Sequence, residues 1–270
     1  MPNPGVCNHF FMISEELKIA IEASVEAGKK IMEIYRTADF GIEFKKDDSP
    51  LTIADKNAHE TIMTFLSQTE FPVLSEEGKN ISYDERKTWN TFWLVDPLDG
   101  TKEFIKKNDE FTVNIALIQK NEPIAGVVYV PATHCLYFAD ENGAFIIGNY
   151  QTGTNIGQQA QKLPLNDTRD EFIVVGSRSH MSEETKQYID GLDHKGKPLK
   201  IVSKGSSLKI CMVAEGKADC YPRIGPTMEW DTAAGHAIAK YAGKSVLKYP
   251  ELTNLVYNKE NLLNPYFIVQ

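Results

Sequence analysis

Two aspartates three positions apart, Asp96 and Asp99, stand in the run Trp93-Leu94-Val95-Asp96-Pro97-Leu98-Asp99-Gly100-Thr101-Lys102-Glu103-Phe104. Pro97 fixes φ and has no N–H to donate, so the corner is stiff. Both carboxylates and the Leu98 carbonyl are then free to face one point. Gly100-Thr101 opens a short helical turn, whose unpaired N–H groups and partial positive charge suit a phosphate. Hard oxygen ligands beside a phosphate cradle point to Mg2+ rather than to zinc. The plainer reading is a strand that ends in an Asp-Gly turn with both acids solvated. The corner alone does not choose between them.

Other groups are candidates, each with an ordinary structural alternative. Glu76 and Glu77 before Gly78 suit a metal, or simply a solvated turn. Asp231, in Trp230-Asp231-Thr232-Ala233-Ala234-Gly235, is a ligand or a helix cap. Asp55 lies where a helix dipole alone would favour a carboxylate. Gly205-Ser206-Ser207 precedes a helix and offers a second phosphate-binding start. The histidines are scattered, and no P-loop, Gly-x-Gly-x-x-Gly or His-Glu-x-x-His pattern occurs.

The elements that must position these groups can be read from periodicity. Ser14 caps a helix whose face is Leu17, Ala20, Ile21, Ser24, Gly28, Ile31 and Tyr35. Its small residues, Ser24 and Gly28, predict close packing against another helix. Residues 40–50 read as an exposed charged loop, and Thr52–Leu66 as a second helix. Strands are expected at 71–74, 92–95, 111–118, 124–130, 136–139 and 144–147, with residues 81–90 as a polar connector. The polar stretch 148–163 divides a first half, 14–150, from a second, 151–270. The second half alternates strand and helix, which argues for α/β layering. Residues 1–13 read as an N-terminal extension outside the fold.

Composition narrows the function. A net charge of −8 over 270 residues disfavours a nucleic-acid polymer as partner, because such binding needs a basic face. A small phosphorylated molecule remains open if cations neutralise it. Cys7, Cys135, Cys211 and Cys220 show no metal-ligand spacing and read as reduced thiols of a cytoplasmic protein. No apolar run reaches transmembrane length, and the N-terminus lacks the basic region of a signal peptide.

Taken in order, Glu76-Glu77-Gly78, Asp96-Pro97-Leu98-Asp99-Gly100-Thr101 and Trp230-Asp231-Thr232-Ala233-Ala234-Gly235 resemble the motifs of the inositol monophosphatase superfamily. The resemblance runs from Ser14 over nearly the whole chain. Within it, Asp99–Phe104, Gly176-Ser177-Arg178-Ser179-His180, Lys204–Lys209 and Tyr221–Thr227 look like the 3'(2'),5'-bisphosphate nucleotidase branch. The resemblance implies an α-β-α-β-α sandwich of the kind shared with fructose-1,6-bisphosphatase, an α/β (α+β layered) class. It also implies hydrolysis of adenosine 3',5'-bisphosphate to AMP and phosphate, and action on 3'-phosphoadenylyl sulfate. Two or three Mg2+ ions would be held by Glu76, Asp96, the Leu98 carbonyl, Asp99 and Asp231, and Li+ would inhibit. Asp55, Thr101 and Glu76 would be catalytic. Leu98, Asp99, Gly100, Thr101 and Asp231 would hold the scissile phosphate. His180, Gly205, Ser206, Ser207 and Lys209 would hold the rest of the nucleotide, with Arg223 adding charge. A peripheral place at the inner face of the membrane is left open by the same analogy. The rivals are a phosphatase for an inositol or other sugar phosphate, and a catalytically idle binding protein on the same fold.

Overall fold

The protein is described by a computed structural model covering residues 13–37, 43–44, 50–166, 168–176 and 182–270. The expectations for residues 1–12, for most of the charged loop at 40–50 and for His180 fall outside these residues.

The first helix, α1 (Glu15–Tyr35), begins where Ser14 Oγ accepts the Leu17 amide at 3.1 Å. Its expected inner face is buried throughout. Gly28, however, faces a strand and not a helix: a Cβ there would lie 2.5 Å from the Tyr129 ring. The short strands β1 (Glu43–Phe44) and β2 (Pro50–Leu51) pair antiparallel and lead to α2 (Ile53–Leu66), which packs along α1.

A seven-stranded sheet follows. Its strands are β3 (Val73–Ser75), β4 (Thr91–Asp99), β5 (Thr112–Gln119), β6 (Glu122–Val130), β7 (Cys135–Asp140), β8 (Gly143–Ile147) and β9 (Gln161–Lys162), in that spatial order. Only β3 and β4 pair in parallel. Short helices interrupt the run: α3 (Tyr83–Arg86), α4 (Thr101–Ile105) and α5 (Ile156–Gln159). The expected connector at 81–90 thus contains a helical turn, and its Arg86 is buried. A charged side chain gave no apolar signal to mark it.

Both faces of the sheet are covered, so its strands read as continuous apolar runs rather than alternating ones. Trp93 and Val95 pack with Leu17, Ile31 and Ile62 of α1 and α2. Phe92 and Leu94 pack the other way, with residues of α7 (Leu208–Glu215) and α8 (Glu229–Tyr241). Truncating a ring such as Phe92 or Phe138 to Ala would cost about 3–5 kcal/mol.

Beyond α7 and α8 lies a second layer of strands: β10 (Phe172–Gly176), β11 (Leu199–Ser203), β12 (Tyr221–Arg223), β13 (Val246–Lys248) and β14 (Phe267–Val269). β10 pairs in parallel with β11, β14 lies between β12 and β13, and a Val174–Cys220 bridge joins the two groups. Helix α6 (Glu183–Asp190) closes the far side, where Ile189 packs with Val174, Cys220 and Ile268. The order of layers is therefore α1/α2, sheet, α7/α8, sheet, α6. Among the described residues, no helix is long and apolar enough to cross a membrane.

Candidate active site

β4 does not stop at Pro97. It continues to Asp99, and its register with β5 is interrupted between Asp96 and Asp99. A proline has no N–H for the ladder, so an irregularity at this place is the expected accommodation. The bulge sets Asp96 in the interior, 1% exposed, where Oδ1 accepts the Leu98 amide at 3.1 Å. The Glu76 amide donates to the Val95 carbonyl at 3.1 Å, which brings Glu76 to the same end of the sheet.

Two further acids, Asp55 and Asp231, arrive from helix starts, and a third, Asp99, from the end of β4. Asp55 Oδ2 accepts the Thr52 amide at 2.8 Å and its hydroxyl at 2.5 Å, and Oδ1 lies 3.3 Å from Thr101 Oγ1. Asp231 Oδ2 accepts the Met228 amide at 2.8 Å. Both residues cap their helices, as their ordinary readings hold, and both also stand at the cluster. Asp99 Oδ2 accepts the Ser207 amide at 2.6 Å and Asn114 Nδ2 at 3.3 Å. Ser207 Oγ is 2.8 Å from both Asp99 Oδ2 and the Asp231 carbonyl. With one proton, that hydroxyl serves one of them at a time.

The electrostatics follow from this crowding. Burial pushes the Asp96 carboxyl well above the usual carboxylate range, and the charges of Glu76, Asp99, Asp231 and Asp55 push it further. Burial, Asp99 and Glu76 raise Asp231 likewise, against the Met228 amide and Arg223. Such a set cannot ionise together without a compensating cation. Among the described residues, no three acidic, His or Cys side chains already converge tightly enough to grip one ion. Each of Asp96, Asp99 and Asp231 instead commits one oxygen to protein donors. The donors present are carboxylates and a carbonyl, which suit Mg2+ and offer no soft ligand.

Asp99, Gly100 and Asp231 line a cavity of about 160 Å3, together with Ser206, Ser207, Lys209, Tyr221 and Arg223. Gly100 has φ +92°, a conformation side chains rarely adopt, and starts α4. Lys209 is 8% exposed, donates to the Ser206 carbonyl at 2.6 Å and stands 5.6 Å from the Tyr221 ring. Burial lowers its amine to about 8, with Asp99 opposing and Arg223 assisting. Arg223 Nη2 donates to the Pro226 carbonyl, and its buried Nε has no hydrogen-bond partner among the described residues.

In the expected second cradle, residues 205–207, the Gly205 and Ser207 amides and both hydroxyls are engaged within the protein. The Gly205 amide donates to Glu110 Oε2 at 2.8 Å, Ser206 Oγ pairs with Thr112 Oγ1 at 2.7 Å, and Ser207 holds Asp99. The turn is thus a clamp joining β5 to the acidic cluster. Glycine is required there by close approach: a Cβ on Gly205 would lie 2.8 Å from Glu103 Cγ and 2.9 Å from Glu110 Cβ. Gly205→Ala is expected to destabilise the fold by about 1–3 kcal/mol. A melting temperature unchanged from wild type would show that the clamp is loose.

Thr112, Asn114 and Glu110 were not candidates from sequence, yet they organise the site. Thr112 and Asn114 are 0% and 1% exposed, and the Thr112 hydroxyl donates to Asn114 Oδ1 at 2.9 Å. The available signal was two polar residues on one face of a strand that is otherwise apolar.

With this geometry in view, the similarities of the chain can be stated. Residues 12–265 match the inositol monophosphatase family. The chain is 45% identical to the 3'(2'),5'-bisphosphate nucleotidase CysQ of Salmonella typhimurium, covering 90% of this chain and 94% of that one. It superposes on the crystal structure of CysQ from Bacteroides thetaiotaomicron with a TM-score of 0.87 and 51% identity, over 97% and 98% of the two chains. The extragenic suppressor protein SuhB of Bartonella henselae, at 24% identity and a TM-score of 0.74 over 95% and 93%, shares the fold.

Proposed function

The chain belongs to the inositol monophosphatase family, and from that premise we propose that it is a 3'(2'),5'-bisphosphate nucleotidase that removes the 3'-phosphate of adenosine 3',5'-bisphosphate. The observation that carries the reading is one cavity lined both by acids, Asp99, Glu103 and Asp231, and by three cationic side chains, Lys102, Lys209 and Arg223. Lys209 feels the charges of Asp99 and Arg223, and Asp231 that of Arg223, so the two kinds of charge stand close together. A molecule with two phosphates fits a cavity that offers both carboxylates for cations and direct positive charge.

Glu76, Asp96, the Leu98 carbonyl, Asp99 and Asp231 would hold two or three Mg2+ ions. When bound, these ions neutralise phosphoryl charge and lower the pKa of a coordinated water. The chain's own contribution is orientation and proton handling. Thr101 Oγ1 takes the proton of the attacking water while passing its own toward Asp55 Oδ1, 3.3 Å away. Asp55 is kept in place for this by Thr52, which bonds its other oxygen. The Gly100 and Thr101 amides bind phosphoryl oxygens. Lys209 and Arg223 take the phosphate that is not cleaved, while the Ser206 carbonyl holds Lys209 and Ser207 holds Asp99. 3'-Phosphoadenylyl sulfate is accepted by the same contacts. Li+ would inhibit, and the setting is cytoplasmic.

Phosphate release by the purified chain tests this. Adenosine 3',5'-bisphosphate, its sulfated relative, an inositol monophosphate and fructose 1,6-bisphosphate would each be offered with Mg2+, with Mg2+ plus Li+, and with a chelator. The expected result is Mg2+-dependent, Li+-suppressed release, fastest from the adenosine bisphosphate. Preference for the inositol phosphate, or release undiminished by the chelator, would overturn it.

A further inference from the structure

Asp231 sits in the first turn of α8, and the residues around it are gripped by one stretch of the C-terminal tail. Glu229 is fully buried and accepts the amides of Asn258 at 2.6 Å and Lys259 at 2.9 Å, and Lys259 Nζ at 2.6 Å. Its own amide donates to the Leu262 carbonyl at 2.9 Å. Asn264 Nδ2 reaches the Met228 carbonyl at 2.8 Å and Thr232 Oγ1 at 3.0 Å. None of these contacts involves the Asp231 carboxylate. They fix the turn that carries it.

The tail segment is itself held from a distant part of the chain. Arg86, on α3 and 3% exposed, donates to the Lys259 carbonyl at 2.7 Å, the Glu260 carbonyl at 2.8 Å and Asn258 Oδ1 at 3.1 Å. Asn258 Nδ2 returns a bond to the Arg86 carbonyl at 2.7 Å. α3 lies on the connection that begins at Glu76. One buried guanidinium therefore joins the connection leaving one acid to the segment that orients another.

Stability alone does not call for this arrangement. Buried ion pairs often contribute no more than apolar residues of the same shape, whereas their directed bonds fix one orientation. We infer that Arg86, Glu229 and Asn264 are positioning residues for Asp231, so that divalent-cation binding and docking of residues 256–264 are thermodynamically linked. The inference rests on Asp231 as a cation ligand, as in the function proposed above, but not on the identity of the substrate.

Arg86→Lys keeps the charge but cannot fork to two carbonyls and an amide oxygen. Calorimetric titration of the substrate-free protein with MgCl2 is expected to give a dissociation constant raised about tenfold, and kcat at saturating Mg2+ within about twofold of wild type. Lys240→Met, at the opposite end of α8, serves as control and leaves the constant unchanged. Hydrogen exchange supplies a second readout that does not depend on Arg86→Lys: MgCl2 slows the Asn258 and Lys259 amides in wild type, but not in Asp231→Asn. If Arg86→Lys does not fold, Asn264→Ser replaces it with the same expectation. A variant that melts earlier without metal yet binds Mg2+ like wild type would make the contacts merely stabilising and overturn the inference. Exchange indifferent to MgCl2 would do the same. Wild type that binds Mg2+ and shows the linkage, but releases no phosphate from the bisphosphate, would sink the substrate assignment alone.

Discussion

Asp231→Asn is expected to lower turnover about a thousandfold at saturating Mg2+ while raising the melting temperature of the metal-free protein. The two effects have one origin. Asp231 is raised above the usual carboxylate range by burial and by Asp99 and Glu76. A carboxyl raised in the folded state destabilises that state as pH climbs from its ordinary range through the raised value, and the penalty is complete above it. Asparagine removes the charge but keeps an oxygen to accept the Met228 amide. Relief of about 1 kcal/mol would appear as roughly 2–4 °C in a chain of this size. Mg2+ should stabilise wild type markedly and the variant little. Turnover near wild type would remove Asp231 from the metal site, whatever the melting curves show.

Lys209→Met should separate substrates rather than abolish activity. A charge-assisted bond to phosphate contributes about 1.5–3 kcal/mol, or roughly 10–100-fold in KM for the bisphosphate. A monophosphate lacking that group should change only a few-fold. The pH dependence has a definite sign. With its amine lowered to about 8, Lys209 loses its proton above that pH, so kcat/KM for the bisphosphate should fall there. In the ratio of bisphosphate to monophosphate, ionisations at the metal site cancel. The ratio should decline above pH 8 in wild type and stay flat in Lys209→Met. Equal losses on both substrates would assign Lys209 to the fold instead.

What the sequence made legible was whatever had a short-range cause. Ser14 and Thr52 announce their helices by capping, and the inner face of α1 follows from spacing at 3.6 residues per turn. Asp96, Asp99 and Asp231 were legible as candidates because Pro97 and a helix start limit where a carboxylate can point. What escaped was polar burial that depends on distant partners. Asn114 looks like a blemish in a strand until Ser207, 93 positions later, comes within 2.9 Å. Arg86 belongs to a stretch that reads as a polar connector until Asn258, 172 positions away, accepts its guanidinium at 3.1 Å. Residues 205–207 read as an anion cradle because their amides lack local partners. Glu110 and Asp99 supply partners for the Gly205 and Ser207 amides from outside the local sequence.

Asp55 and Asp231 each secure a helix end with one oxygen. A lineage freed from the need to turn over substrate could not discard them without loosening two helices. Drift would therefore settle on Asn, Ser or Thr at these two places and rarely on Ala, leaving retired descendants with a recognisable scar.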